Sequence, residues 1–192
     1  LTYAETAKLI TDFASYLQNV LKLPRGERVA IMMPNLLQYP VALFGTLQAG
    51  MVVVNTNPLY TPRELEHQLK DSGATTIVVL ENFANTLELV LPRTQIKHVI
   101  VASVGDMFGT IKGTLMNFVL RKIKKAVPEY RIPNAVPFQT AMKQGAALPF
   151  TKVDITREDT AFLQYTGGTT GVAKGAVLSH GNICANMLQA KE

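Results

Sequence analysis

Thr61-Pro62-Arg63-Glu64-Leu65-Glu66-His67-Gln68-Leu69-Lys70-Asp71-Ser72-Gly73, followed closely by Thr75-Thr76-Ile77-Val78-Val79-Leu80, decides the fold class. The first four residues are a helix start. Thr61 can cap, Pro62 takes the first helical position, and Glu64 can bond back to the cap. Gly73 supplies the residue type on which helices end. Thr75 to Leu80 is rich in β-branched residues and reads as a strand. The same pairing recurs to either side. Upstream, Leu1 to Lys22 carries apolar residues at Leu9, Phe13, Tyr16, Leu17, Val20 and Leu21, a helical spacing, with Thr2 and Glu5 as a capping box. Arg28 to Met33 is a short apolar run typical of a buried strand, and Pro34-Asn35 turns the chain into an apolar helix, Leu36 to Ala49, stopped by Gly50. Val52 to Val54 is the next strand. Downstream, Asn82 to Leu91 is helical and Lys97 to Ala102 is a strand. Strand and helix alternate through short connections, which predicts an α/β fold: a parallel sheet with helices on both faces.

Near the other end lies Tyr165-Thr166-Gly167-Gly168-Thr169-Thr170-Gly171-Val172-Ala173-Lys174-Gly175. An apolar strand, Thr160 to Gln164, precedes it. A second short strand, Ala176 to Leu178, follows, and Ser179 is placed to cap a helix. Gly167, Gly168 and Gly171 let backbone approach a ligand closely. Their N–H groups, with the Thr166, Thr169 and Thr170 hydroxyls, suit a nest around phosphate oxygens, and Lys174 adds a mobile positive charge. A Walker A loop needs Gly-Lys followed by a hydroxyl residue, whereas Ala173 precedes Lys174 and Gly175 follows it. The Gly-x-Gly-x-x-Gly dinucleotide fingerprint is absent too, because Gly167 and Gly168 are adjacent. A bare Gly/Thr surface hairpin would not need a lysine among three threonines and four glycines.

The segment Tyr165 to Gly175 resembles the phosphate-binding signature of the adenylate-forming superfamily of acyl-CoA synthetases, luciferases and peptide-synthetase adenylation domains. Within it the resemblance is strongest to bacterial long-chain fatty-acid–CoA ligases. A second matching stretch, Asn57-Pro58-Leu59-Tyr60-Thr61-Pro62-Arg63-Glu64-Leu65-Glu66, supports that branch, and similarity extends over most of the chain. Ala173 stands where the superfamily at large has proline, as expected of the fatty-acid branch. The resemblance implies part of a large N-terminal adenylation domain and two half-reactions. A fatty carboxylate attacks the α-phosphate of ATP to give acyl-AMP and pyrophosphate, and coenzyme A then displaces AMP. Tyr165, Thr166, Gly167, Gly168, Thr169, Thr170, Gly171, Lys174 and Gly175 are the nucleotide-binding candidates it implies. Thr166 is also the residue whose family counterpart approaches Mg2+. The adenine motif, the ribose-binding aspartate, the hinge and the adenylation lysine of the small C-terminal domain are expected beyond Glu192. No catalytic residue is therefore assigned here, and the segment alone is expected to be inactive. A CoA ligase or adenylating enzyme for another carboxylic acid is the alternative within the superfamily. A non-catalytic membrane-binding module is the alternative outside it.

Composition bounds the rest. The 192 residues are 47% hydrophobic and 17% charged, enough for a buried core and too apolar for a disordered chain. One cysteine, Cys184, excludes a disulfide framework and fits a reducing compartment. Residues 105–133 hold six bases (Lys112, Arg121, Lys122, Lys124, Lys125, Arg131) against Asp106 and Glu129, most of the chain's net +5. Phe108, Ile111, Leu115, Val119, Leu120, Ile123 and Val127 fall on one side of a helix there, with Arg121, Lys124 and Lys125 opposite. Two readings stand: an amphipathic insertion lying on an anionic membrane, or one packed on its own domain with a solvated basic face. Nucleic acid is not an expected partner, because no aromatic residues interleave with the bases. Fatty acid, ATP and CoA are the expected partners, with a homodimer also entertained. The expected location is cytoplasmic, with peripheral contact on the inner face of the membrane. Among the histidines, His67 reads as a surface residue, His98 as structural, and His180 as a candidate to approach the nucleotide or acyl site.

Overall fold

A computed structural model describes residues 1–166 and 173–190. In chain order its elements are α1 (Tyr3–Ser15), β1 (Arg28–Met32), α2 (Gln38–Gln48), β2 (Val52–Asn55), α3 (Pro62–Ser72), β3 (Thr76–Leu80), α4 (Ala84–Val90), β4 (His98–Ala102), α5 (Thr110–Phe118), β5 (Val136–Pro137), α6 (Phe138–Ala146), β6 (Thr160–Thr166), β7 (Lys174–Ser179) and α7 (His180–Gln189). The strands form one sheet in the order β5-β4-β3-β1-β2-β6-β7. All neighbouring pairs are parallel except β6 and β7, which form an antiparallel hairpin.

The inner strands are apolar on both faces, which is why they read as unbroken hydrophobic runs. Val29, Ile31, Val53, Val78, Leu80, Ile100 and Ala102 face one core, closed by α1, α2 and α6 through Phe13, Tyr16, Leu17, Val41, Ala42 and Phe138. Ala30, Met32, Val54, Ile77, Val79, Val99 and Val101 face the other, closed by α3 and α4 through Leu65, Leu69, Leu87 and Val90. Glycine sets how closely the first layer packs. A Cβ on Gly145 would lie 1.9 Å from the Asp12 carbonyl oxygen, and one on Gly45 would lie 2.8 Å from the Phe13 ring. The caps fall where the sequence places them. Thr2–Glu5, Thr61–Glu64 and Ser179–Asn182 are reciprocal capping boxes, and Gly73 ends α3 in the left-handed conformation. Each such cap is worth about 1 kcal/mol.

Residues 105–133 depart from expectation. Here α5 runs on through one wider turn, Val119–Ile123. Its inward side is Gly113, flanked by half-buried Met116, Asn117, Val119 and Leu120, so only part of the apolar row packs inward. A backbone contact overrides the hydrophobic pattern: a Cβ on Gly113 would stand 2.2 Å from the Gly105 carbonyl oxygen, and Asn117 Oδ1 accepts the Gly105 N–H at 2.8 Å. Phe108, Ile111, Leu115, Phe118 and Ile123 are consequently exposed, Ile111 at 85%. Arg121, placed by the helical wheel on a solvated basic face, is exposed there and also reaches back to a buried partner. Its Nε donates to Glu81 Oε2 at 2.7 Å and its Nη2 to Ser103 Oγ at 3.0 Å, holding a carboxylate that is fully buried. Asp106 borders the same cluster. Burial pushes its carboxyl above the ordinary range against the pull of the Ser103 N–H, with the Glu81 charge adding to the rise. No helix among the described residues is long and apolar enough to cross a membrane.

Candidate nucleotide-binding site

The hairpin of β6 and β7 carries the phosphate-loop candidates to the C-terminal end of the parallel strands, where open α/β sheets take their ligands. Strand pairing extends further than the sequence suggests. Tyr165 pairs with Gly175 and Thr166 with Lys174, so these four residues form the stem of the hairpin and not its loop. The cause is that β6 is fixed along β2 through Phe162, Leu163 and Gln164, and a strand so anchored offers its free side for pairing up to its last residue. Gly167, Gly168, Thr169, Thr170 and Gly171 lie outside the described residues.

Directly opposed residues of an antiparallel pair project on the same face. Thr166 and Lys174, both exposed, therefore put a hydroxyl and an ammonium group side by side at the mouth of the loop. Tyr165 points the other way and is buried. Its hydroxyl donates to Asp71 Oδ2 at 2.5 Å. Burial and this carboxylate hold the phenol well above its usual range, so it stays a donor at neutral pH. Its ring also explains Gly175: a Cβ there would be 3.0 Å from the ring carbons.

Beside the stem, a polar cavity of about 220 Å³ opens at the ends of β1, β2 and β6, lined by Tyr39, Asn55, Asn57, Tyr60, Gln164 and Tyr165 among others. Tyr39 Oη donates to Asn55 Oδ1 at 2.9 Å, and Asn55 Nδ2 donates to Gln164 Oε1 at 2.9 Å, a chain of polar groups across three elements. Burial pushes the Tyr39 phenol above its usual pKa. The sequence reading missed Asn55 and Gln164 as site residues. Their signal was an amide at the C-terminal end of an otherwise apolar strand, after Val52-Val53-Val54 and after Ala161-Phe162-Leu163.

Three side chains of α3 brace this corner. Gln68 Nε2 donates to the Asn55 carbonyl at 2.7 Å, Asp71 takes the Tyr165 hydroxyl, and His67 Nε2 lies 3.1 Å from the Ala173 carbonyl oxygen. His67 is thus not the surface residue its sequence neighbours imply. His180 departs from the nucleotide half of its expectation. Because β7 runs antiparallel, Ser179 pairs with Thr160 at the far end of the hairpin, so His180 starts α7 roughly 20 Å from the Thr166–Lys174 pair at about 3.3 Å per residue. There it lines a mostly apolar groove with Ile10, Phe44, Phe162 and Cys184. His98 opens β4, and burial lowers its pKa. No group of three or more His, Cys, Asp or Glu side chains among the described residues could hold a metal ion.

A mostly parallel sheet clothed on both faces, with the hairpin stem Tyr165, Thr166, Lys174 and Gly175 at the C-terminal end of its strands, defines the class. The chain belongs to the AMP-binding enzyme family, whose model matches residues 1–192. It is 57% identical over 191 residues to the long-chain-fatty-acid–CoA ligase of Yersinia pestis, covering 100% of this chain and 34% of that protein. With the ligase of the same name from Haemophilus influenzae the identity is 58% over 191 residues, again covering 100% of this chain and 34% of the relative. Among solved structures, a long-chain-fatty-acid-CoA ligase from Archaeoglobus fulgidus matches 99% of this chain and 32% of its own, with TM-score 0.69 and 28% identity. The chain spans about a third of the length of the curated relatives it matches.

Proposed function

We propose that the full-length protein carrying this chain is a long-chain fatty-acid–CoA ligase, forming acyl-AMP and pyrophosphate from a fatty acid and ATP and then acyl-CoA. The observation that carries this reading is the Thr166–Lys174 pair, set side by side at the ligand end of the sheet in a chain 57% identical to such a ligase. In the first half-reaction the carboxylate oxygen bonds to the α-phosphorus as the bond to the bridging oxygen of pyrophosphate breaks. The barrier is set by charge on the phosphate oxygens, so stabilisation falls to fixed donors and cations and needs no covalent nucleophile from the protein. Residues Thr166 to Gly171 are proposed to cradle the phosphates, with Lys174 beside the β- or γ-phosphate. Mg2+ fits this donor set as an ion carried mainly by the nucleotide, with the Thr166 hydroxyl beside it, because such ions are commonly bound through one or two protein groups plus phosphates. When bound it would neutralise charge on the departing pyrophosphate.

The test follows pyrophosphate release by the full-length protein across a panel of acids. Release with palmitate or oleate, then CoA-dependent thioester formation, is the expected result. Release only with aryl or short acids would move the substrate class, and none with any acid from folded protein would overturn the reading.

The exposed row Phe108, Ile111, Leu115, Phe118 and Ile123, with Lys112, Lys122, Lys124 and Lys125 exposed along the same segment, is proposed to rest on the cytosolic face of an anionic membrane. That placement would set the enzyme where its apolar substrate partitions. Each basic side chain near such a surface is worth about 1 kcal/mol, so Lys124→Gln with Lys125→Gln is expected to weaken binding to phosphatidylglycerol liposomes roughly thirtyfold, and Lys124→Glu with Lys125→Glu by more. Unchanged binding would remove the segment from the lipid contact. Loss of a concentration-dependent dimer in the same variants would assign the row to a second copy instead.

A further inference from the structure

We propose that His67 is a positioning residue for the phosphate loop: from α3 it holds the carbonyl of Ala173 and so fixes the direction in which Lys174 is presented. Ala173 O can only accept, so the His67 Nε2 atom 3.1 Å away carries the hydrogen. His67 is half-buried and Ala173 packs against the core on the α3 side of the sheet, so the bond is partly shielded from water. One helical turn further along the same face, Asp71 takes the hydroxyl of Tyr165. The two contacts lie on opposite strands of the stem, Tyr165 entering the loop and Ala173 leaving it. Both come from a single helix whose start is fixed by the Thr61–Glu64 capping box. Beyond Ala173, Lys174 and Gly175 are exposed, and Gly175 lacks a Cβ to wedge the strand. The His67 bond therefore tethers the exit strand at the residue immediately before the lysine that would meet phosphate.

The geometry separates variants sharply. Glutamine places its Nε2 near the imidazole Nε2 and can donate to the same carbonyl, whereas alanine removes the donor and phenylalanine keeps the bulk without it. The kinetic arm rests on the ATP-dependent reading above. In the full-length protein, His67→Ala and His67→Phe are expected to raise KM for ATP about three- to tenfold, the worth of one hydrogen bond, with KM for the fatty acid unchanged and His67→Gln close to wild type. A second arm does not need activity: limited trypsin digestion should cut the Lys174–Gly175 bond several-fold faster in His67→Ala and His67→Phe than in wild type or His67→Gln. Wild-type values for the alanine and phenylalanine variants, or a glutamine variant no better than alanine, would overturn the clamp. Should His67→Ala unfold, the phenylalanine and glutamine variants decide. If wild type releases no pyrophosphate with any acid, the ligase reading falls alone, and the digestion arm still decides the clamp.

Discussion

Replacing Lys174 with alanine is expected to slow pyrophosphate release by the full-length protein about a hundredfold, the usual loss when one preorganised charge partner leaves a reacting centre. Lys174 is exposed on the stem opposite Thr166, so it has no packing role to confound the result, and thermal stability should be unchanged. The effect should lie mainly in the rate of the adenylation step, since charge on the β,γ-phosphates grows as the bond to the α-phosphorus breaks. Arginine should recover only part of the rate, because a planar guanidinium presents its charge over a wider fork than an ammonium group. A direct control exists within the same protein. Supplied with preformed acyl-adenylate, the variant should make acyl-CoA at the wild-type rate, because pyrophosphate has already left. Single-turnover measurement of both half-reactions reads this directly. Equal slowing of the two would show that Lys174 shapes the pocket in general, and no slowing of the first would remove it from the site.

The sheet was legible because its signals are local. Val29 to Met32, Val52 to Val54 and Ile77 to Leu80 are apolar at every position, and caps such as Thr61–Glu64 or the stop at Gly73 depend only on residues a few positions apart. The phosphate-loop candidates could be picked out for the same reason, being one contiguous string, and of them the structure describes only the stem residues Tyr165, Thr166, Lys174 and Gly175. What surrounds that string was not. His67 meets Ala173 and Asp71 meets Tyr165 across 106 and 94 residues of chain, and no periodicity within α3 distinguishes these contacts from an ordinary polar face. Asn55 and Gln164 likewise become one network only when β2 and β6 lie side by side. The helix α5 shows a different failure. A helical wheel ranks faces by hydrophobicity, yet the contact between Gly105 and Gly113 is backbone to backbone and chose the face on which Gly113 lies. Of the apolar row, Val119, Leu120 and Val127 are half-buried, while Phe108, Ile111, Leu115 and Ile123 are left exposed. Arg121 is solvated as the wheel implies, but its pairing was not legible, because its partner, Glu81, is a buried carboxylate brought in from the end of β3.

Phe13→Ala should be the costliest single truncation of the α1 layer while leaving the nucleotide site intact. Phe13 is fully buried, with its ring 5.6 Å from that of Phe138 and 6.3 Å from that of Tyr16, at the crossing of α1 with α2 and α6. Removing a ring so enclosed costs about 3–5 kcal/mol, from lost transfer energy plus an unfilled cavity. At about 2–4 °C per kcal/mol for a domain of this size, the midpoint of thermal unfolding should fall by about 10 °C. Collapse is resisted because α2 and α6 already approach α1 at Gly45 and Gly145 as closely as backbone allows. Gly45→Ala tests that constraint in the same background. Its Cβ would meet the Phe13 ring at 2.8 Å, which the truncation removes, and the Ile10 carbonyl oxygen at 2.9 Å, which it does not. The second substitution should therefore restore only part of the loss. The hairpin stem is braced by α3 from the opposite face of the sheet, so KM for ATP and the rate of pyrophosphate release should stay at wild-type values well below the lowered midpoint. A fall in those rates while the protein remains folded would mean that the two faces communicate through β1 and β2, and that the site draws its geometry from both cores and not from α3 alone.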